Sequence, residues 1–251
     1  MTARDREDRE RGFFDRHYEG VSYHPDGWKL RMERDLRVLL DELGDHGPGR
    51  VLSIGCGDGA FELLLARHAT SVLGVDLSPA AIAAAERERA RQGVANASFR
   101  CTSFRDLAWQ DPFDTIVCLA FLHHVPEPEL DGFLRSCREH LAPRGLFFSQ
   151  DPNVHGALRA AGRVLLGRRY DAFHTPDERE LDPEQLRGAL RAAGFGAAAI
   201  RHVDLALIPA CYLLARGPAW PLRAAAWADR LWCASPLARW SSGFVAVARN
   251  G

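Results

Sequence analysis

Short apolar runs alternate with amphipathic stretches along most of this chain, and the alternation predicts strands and helices in turn. Residues 28–43 carry Met32, Leu36, Leu39, Leu40 and Leu43 at intervals of three and four, one face of a helix that ends in Gly44 and Gly47-Pro48-Gly49. Residues 50–54 then read as a short buried strand, 60–69 as a helix and 72–75 as a second strand. Ser78-Pro79 supplies a hydroxyl cap and a proline at the first helical position, opening an Ala-rich helix to about residue 91. Strands are predicted at 98–101, 113–119 and 146–149. Between the last two, Leu130, Phe133, Leu134, Cys137 and Leu141 form another helical stripe, with Glu127 and Glu129 in its first turn where the helix dipole favours acids. Asp182-Pro183-Glu184-Gln185 opens a further helix that Gly194 closes, and 197–203 and 243–248 complete the strand set.

Strands alternating with helices imply a parallel α/β sheet, doubly wound, with helices on both faces. The expected organisation is an N-terminal helical lid or cap at 1–49 followed by one domain at 50–251. Two inserts, 153–181 and 205–242, break the alternation, and inserts of that length are expected to act as helical lids.

Charge and cysteine content narrow the function classes. Thirty-two basic residues against 33 acidic ones give a net charge of −1, so no polyanion-binding surface is indicated and nucleic acid is not the expected partner. The six cysteines show neither a CxxC pair nor a zinc-ligand spacing and read as reduced residues of a cytoplasmic protein. Residues 2–11 are almost wholly charged, unlike a secretory signal, and no apolar run reaches the ~20 residues of a membrane span.

The strongest chemical signal is Val51-Leu52-Ser53-Ile54-Gly55-Cys56-Gly57-Asp58-Gly59, a buried strand running into alternating glycines and a helix. Glycines allow the sharp turn and let a ligand approach bare backbone at a helix N-terminus. Gly74-Val75-Asp76 ends the second strand with a carboxylate that can accept both hydroxyls of an adenosine ribose. Loop and acid together describe an adenosine-bearing cofactor. Gly55, Gly57 and Ala60 also satisfy the dinucleotide fingerprint, so these residues alone leave the cofactor open.

At these residues the sequence resembles the class I S-adenosylmethionine (SAM)-dependent methyltransferases, specifically small-molecule enzymes with a GCGxG first motif. The resemblance runs from about 51 to 151 and includes Gly74-Val75-Asp76-Leu77-Ser78, Phe113-Asp114-Thr115-Ile116-Val117, Leu122-His123-His124-Val125 and Leu141-Ala142-Pro143-Arg144-Gly145-Leu146. It implies a Rossmann-like sheet of seven strands with the last antiparallel, and SAM as methyl donor with S-adenosylhomocysteine (SAH) as product. By the same resemblance Gly55, Cys56, Gly57, Gly59 and Leu119 should line the cofactor. Asp76 should hold the ribose, and Leu77 should lie against the adenine. Two family acids are missing. Ser53 stands two residues before the first glycine, and the stretch after the third strand offers Thr102, Ser103 and Phe104 where a carboxylate is usual.

His123 and His124 follow the fourth strand, at the sheet edge where open α/β folds bind ligands, and either can serve as a general base toward an acceptor hydroxyl. In the similar ubiquinone-biosynthesis O-methyltransferases this loop holds a divalent ion through two acids and a histidine. Aligning that histidine with His124 puts Ala120 and His123 at the acid positions, so the expectation is catalysis without metal. Tyr18, Tyr23, Asn153 and His174 are the candidate substrate contacts, with Asp151 able to bind a polar group and Arg168-Arg169 an anionic one.

The second insert carries Leu205, Leu207, Ile208, Leu213 and Leu214, then Trp220, Trp227, Trp232 and Trp240 among arginines. It predicts an apolar cap over a hydrophobic substrate, or else a peripheral membrane or partner surface at 205–240. The function expected is methylation of a small, partly apolar molecule, at oxygen in preference. The acceptor class is natural-product or lipid-like and the setting secondary metabolism. A non-methylating reaction on the same fold and a non-catalytic binding protein are the alternatives.

Overall fold

Seven strands form a single sheet in the order β3-β2-β1-β4-β5-β7-β6, and β7 runs antiparallel to both its neighbours. The strands of this computed structural model are β1 Arg50–Ile54, β2 Ser71–Asp76, β3 Ala97–Cys101, β4 Phe113–Leu119, β5 Leu141–Pro152, β6 Ala197–Val203 and β7 Gly243–Arg249. The structure describes residues 3–20, 25–107, 112–167, 178–214 and 217–251.

The helices are α1 Ala3–Gly20, α2 Pro25–Leu43, α3 Ala60–Leu65, α4 Pro79–Gln92, α5 Glu127–Glu139, α6 Ala157–Leu166, α7 Pro183–Ala192, α8 Leu207–Leu213 and α9 Trp220–Cys233. The Ser78 hydroxyl accepts from Ala81 N at 3.1 Å to cap α4, and Asp182 accepts from Glu184 N and Gln185 N to cap α7.

Successive strand residues point to opposite faces, and both faces are apolar, as a sheet covered on two sides requires. Leu52, Ile54, Ile116 and Phe147 join Phe133 and Leu134 of α5 and Leu186 and Leu190 of α7. On the other face, Val51, Val117, Phe148 and Val247 join Leu39 and Leu43 of α2 and Phe61 and Leu63 of α3. Phe147, Phe148, Leu52 and Ile116 are fully buried, and each such side chain contributes about 1.5–3 kcal/mol.

The region 1–49 divides into two unlike parts. Leu39 and Leu43 make α2 a member of the core layer, whereas α1 lies across the cleft at the sheet edge through polar contacts described below. The second insert packs onto α2 through Leu207, Cys211 and Leu222, with Leu30 against them. Its tryptophans do not form the expected cap. Trp220 and Trp227 are 70% and 64% exposed, and Ile208 and Ser242 are the described residues of this insert that line the cleft.

Candidate active site

The carboxyl ends of β1, β2, β4 and β5 open into a cleft of about 540 Å³, within the ~300–1,000 Å³ usual for ligand sites. Three glycines with positive φ follow β1: Gly55 at 76°, Gly57 at 55° and Gly59 at 74°. Left-handed backbone suits glycine, and Gly55 is doubly constrained because a Cβ there would stand 2.5 Å from the Phe121 ring. Gly55 and Gly57 line the cleft. Gly59 does not, because it faces Phe99 and Ala85, where a Cβ would come within 2.6 and 2.9 Å; its role is close packing of α3.

Asp76 ends β2 with one carboxylate oxygen accepting from Gly57 N and the other from Ser78 N, each at 2.9 Å. Each oxygen keeps a second acceptor position, so the group can still take ribose hydroxyls. Burial raises its pKa, and the backbone donors at Ser78 and Gly57 oppose that shift. Cys56, Leu77, Thr102, Phe104 and Leu119 also line the cleft. Phe104 packs edge-on against Phe121 and Phe133 at 5.7 and 5.1 Å. Ser103 lies off the cleft wall and is buried, its hydroxyl donating to Glu7 of α1 at 2.6 Å. Glu7 also pairs with Arg105 and lines the cleft, so α1 brings a carboxylate to the end where the sequence lacks one.

The two histidines sit on one turn, 122–124, directly after β4. Ala120, just before it, is held at φ 51°, a left-handed conformation that costs a non-glycine residue about 1–3 kcal/mol and persists where the surroundings enforce it. Gln150 O accepts from its N–H at 2.7 Å. β5 runs on through Asp151, which places that buried carboxylate beneath the turn. Its Oδ1 lies 3.0 Å from His123 Nδ1 and accepts from His123 N at 3.2 Å. Burial drives Asp151 up to about 7, opposed first by the His123 backbone donor. Asp151 therefore does not meet substrate as the sequence suggested; it orients His123, which lines the cleft.

His124 faces acids from two distant segments, with Nδ1 3.7 Å from Glu10 of α1 and Nε2 3.8 Å from Glu178. Its ring packs edge-on against Phe14 at 5.4 Å, and Arg6 donates to its carbonyl at 2.6 Å. His123, His124 and Glu178 each offer one ligand atom within 4.8 Å of the others, a grouping the loop sequence alone does not reveal.

Other predicted contacts fall elsewhere. Asn153 is fully buried, donating to Arg239 O and Ser241 O and accepting from His155 N, so it ties the two inserts together instead of meeting substrate. Tyr23, His174 and Arg168-Arg169 lie outside the described residues, as does the side chain of Tyr18 on α1.

Glu7, Glu62, Glu178 and Arg31 are among the cleft residues that were not anticipated. Arg31 stacks 4.5 Å from the Trp28 ring and bonds Gln150, while Arg34 joins Asp35 to Asp204, so buried ion pairs fasten α2 to the sheet edge. Their signal was present only as polar residues interrupting the apolar stripe of α2.

A protein-family model described as a methyltransferase domain matches residues 51–145, the stretch that builds this loop, acid and histidine turn. The ubiquinone biosynthesis O-methyltransferase of Chromobacterium violaceum is 30% identical over 166 residues, covering 63% of this chain and 69% of that protein. The chain belongs to the class I SAM-dependent methyltransferases. The ubiquinone biosynthesis O-methyltransferase of Xanthomonas euvesicatoria is 33% identical over 152 residues, and the match spans 62% of that protein's length. The solved magnesium protoporphyrin IX methyltransferase of Synechocystis PCC 6803, with bound SAH, shares the methyltransferase's fold at a TM-score of 0.63 and 15% identity. That alignment covers 98% of this chain and 100% of that one. SAM is the methyltransferase's cofactor. The relatives' place in ubiquinone biosynthesis gives no support to the secondary-metabolism setting expected above. Among the described residues no helix is long and apolar enough to cross a membrane.

Proposed function

We propose that this methyltransferase methylates a hydroxyl of a small, partly apolar molecule, with His123 as general base and Asp151 as its positioning residue. The observation that carries the reading is the 3.0 Å contact between His123 Nδ1 and buried Asp151 Oδ1 at the cleft wall. With Nδ1 engaged by the ionised carboxylate, Nε2 is the nitrogen that takes the acceptor's proton. SAM supplies an activated methyl group on sulfur. With SAM bound, that methyl would pass to the acceptor oxygen as SAH departs, and His123 Nε2 would take the proton that the hydroxyl gives up.

Acceptor polarity follows from the walls. Phe13, Phe14, Trp28, Met32, Phe121 and Ile208 give the cleft an apolar wall, and His123, His124 and Glu178 are among its polar groups. An aromatic ring bearing a hydroxyl suits such a wall, and the relatives' role in ubiquinone biosynthesis is consistent with a lipid-like acceptor. Holding acceptor and donor in line can supply about 7–11 kcal/mol of the barrier, so shape contributes beside the base.

The reaction is read as metal-independent. A second reading is favoured by one observation, the His123, His124 and Glu178 grouping. Two imidazoles and a carboxylate suit zinc, iron or manganese better than magnesium, and Asp151 behind His123 matches the way metal-bound histidines are commonly oriented. A cytoplasmic location is proposed, with membrane contact at the exposed Trp220 and Trp227 face, where Arg223 and Arg230 are also exposed.

The test is incubation with methyl-labelled SAM and a panel of hydroxyarenes of graded apolarity. Label in a methyl ether, formed with equimolar SAH, is expected. SAH binding without label transfer to any oxygen, nitrogen or carbon acceptor would move the enzyme to non-methylating chemistry.

A further inference from the structure

Two family carboxylates are absent from their usual places, and the loss at Ser53 is compensated from another element. Ser53 on β1 is buried and donates its hydroxyl to Glu62 Oε1 of α3 at 2.6 Å. Glu62 is 2% exposed and lines the cleft. Its Oε2 has no hydrogen-bond partner among the described residues. A buried carboxylate so placed lacks the cation that would normally balance it, an arrangement that is costly in an empty site. The acid and the hydroxyl are thus exchanged: the strand carries the serine, and the first turns of the helix after the glycine loop carry the acid.

We propose that Glu62, held by Ser53, binds the α-ammonium group of the SAM methionine moiety. The inference rests on the reading of the cleft as a SAM site and adds to it the residue that recognises the amino-acid end. Asp76 on β2 fixes where the ribose lies, and His123 after β4 fixes the reacting end. Glu62, anchored to β1 between those two strands, lines the cleft together with Gly55 and Gly57. Arg31, buried in the same cleft, supplies the opposite charge that a zwitterionic amino-acid group requires.

The electrostatics agree. Burial drives the Glu62 carboxyl up to about 7, the Ser53 hydroxyl opposes that shift, and Asp58 and Asp76 add to it. The Cys56 thiol also faces this acid and is itself held well above its ordinary value by burial. An arriving ammonium reverses the balance, so binding near neutral pH releases the Glu62 proton to solvent.

The experiment is calorimetric titration of wild type, Glu62→Gln and Ser53→Ala with SAH and with 5′-methylthioadenosine, which lacks the amino-acid end. Loss of a charge-assisted contact predicts SAH binding about 10- to 100-fold weaker in Glu62→Gln, with methylthioadenosine binding unchanged. Ser53→Ala, which keeps the carboxylate, should fall between. Unchanged SAH affinity in Glu62→Gln, or equal losses for both ligands, would overturn the assignment. Failure of either ligand to bind wild type would instead overturn the SAM site itself. Should Glu62→Gln not fold, the wild type decides: SAH must bind at least tenfold more tightly than its deaminated analogue, and equal affinity contradicts the proposal.

Discussion

Asp151, with no solvent exposure, lies 3.0 Å from His123 Nδ1 and accepts from the same residue's backbone N–H. A carboxylate that grips both ring and backbone fixes the imidazole's orientation more firmly than either contact alone. His123→Ala should lower kcat by about 10²–10⁴ with little change in SAH affinity. A loss below threefold, measured at saturating acceptor, would remove His123 from the chemistry.

The pair also sets a pH dependence. Asp151 is raised to about 7, so its carboxyl is protonated below that value and orients the neutral base only above it. The rate should therefore rise with pH through about 7, an apparent value that belongs to the pair and not to either residue. Asp151→Asn should flatten this limb and lower kcat while leaving KM for SAM nearly unchanged. An unaltered profile in that variant would place the titration elsewhere.

Glu62 predicts a stability effect in the ligand-free protein. Its folded pKa, about 7, lies above the ordinary carboxyl value of 4.5, so its contribution is fully present below pH 4.5 and is lost as pH rises through 7. Glu62→Gln should be more stable than wild type at pH 8 by about 1–3 kcal/mol and should not differ in this way at pH 4.5. Denaturant unfolding at the two pH values measures it, and a Glu62→Gln variant less stable at pH 8 would contradict the unpaired state of the acid.

Metal dependence separates the two catalytic readings. Activity should survive dialysis against a chelator if His123 acts as a base. Loss on chelation, restored by zinc or manganese and abolished by Glu178→Gln, would instead show that the histidines and Glu178 bind an ion.

The glycines should divide by role. Gly57→Arg fills the loop and should abolish SAH binding. Gly59→Ala meets Phe99 and Ala85 at a φ of 74° and should cost about 1–3 kcal/mol of stability while leaving affinity within a few-fold. Thermal melts and titrations on both variants check the division.

Most of the sheet was legible because buried strands announce themselves as short apolar runs. The expected 50–54, 113–119 and 197–203 coincide with β1, β4 and β6. β5 is longer than expected, because Ala142-Pro143-Arg144-Gly145 reads as a turn and Arg144 does adopt φ 65°, yet pairing resumes after a register shift against Phe113 and Thr115. α1 falls within the helical lid expected at 1–49, but the sequence pattern set no bounds for it. Its inward residues Glu7 and Glu10 are acids satisfied by Ser103, Arg105, Arg6 and His124, so no apolar stripe marks the buried side.

The site was legible where its chemistry lies within one motif, as at Gly55, Gly57 and Asp76. It was not legible where partners converge from separate elements: Ser53 with Glu62, His123 with Asp151, and His124 with Glu178. Asn153 misled for the same reason, since its place after a strand suggested ligand contact while its partners lie in the second insert.

The central claim, an adenosyl-sulfur site on the Gly55-to-Gly59 loop, is tested most directly by calorimetric titration of the wild type with SAH and, separately, with NAD. The account predicts micromolar, one-to-one SAH binding that Gly57→Arg eliminates, and no heat from NAD. NAD binding with silence toward SAH would contradict it.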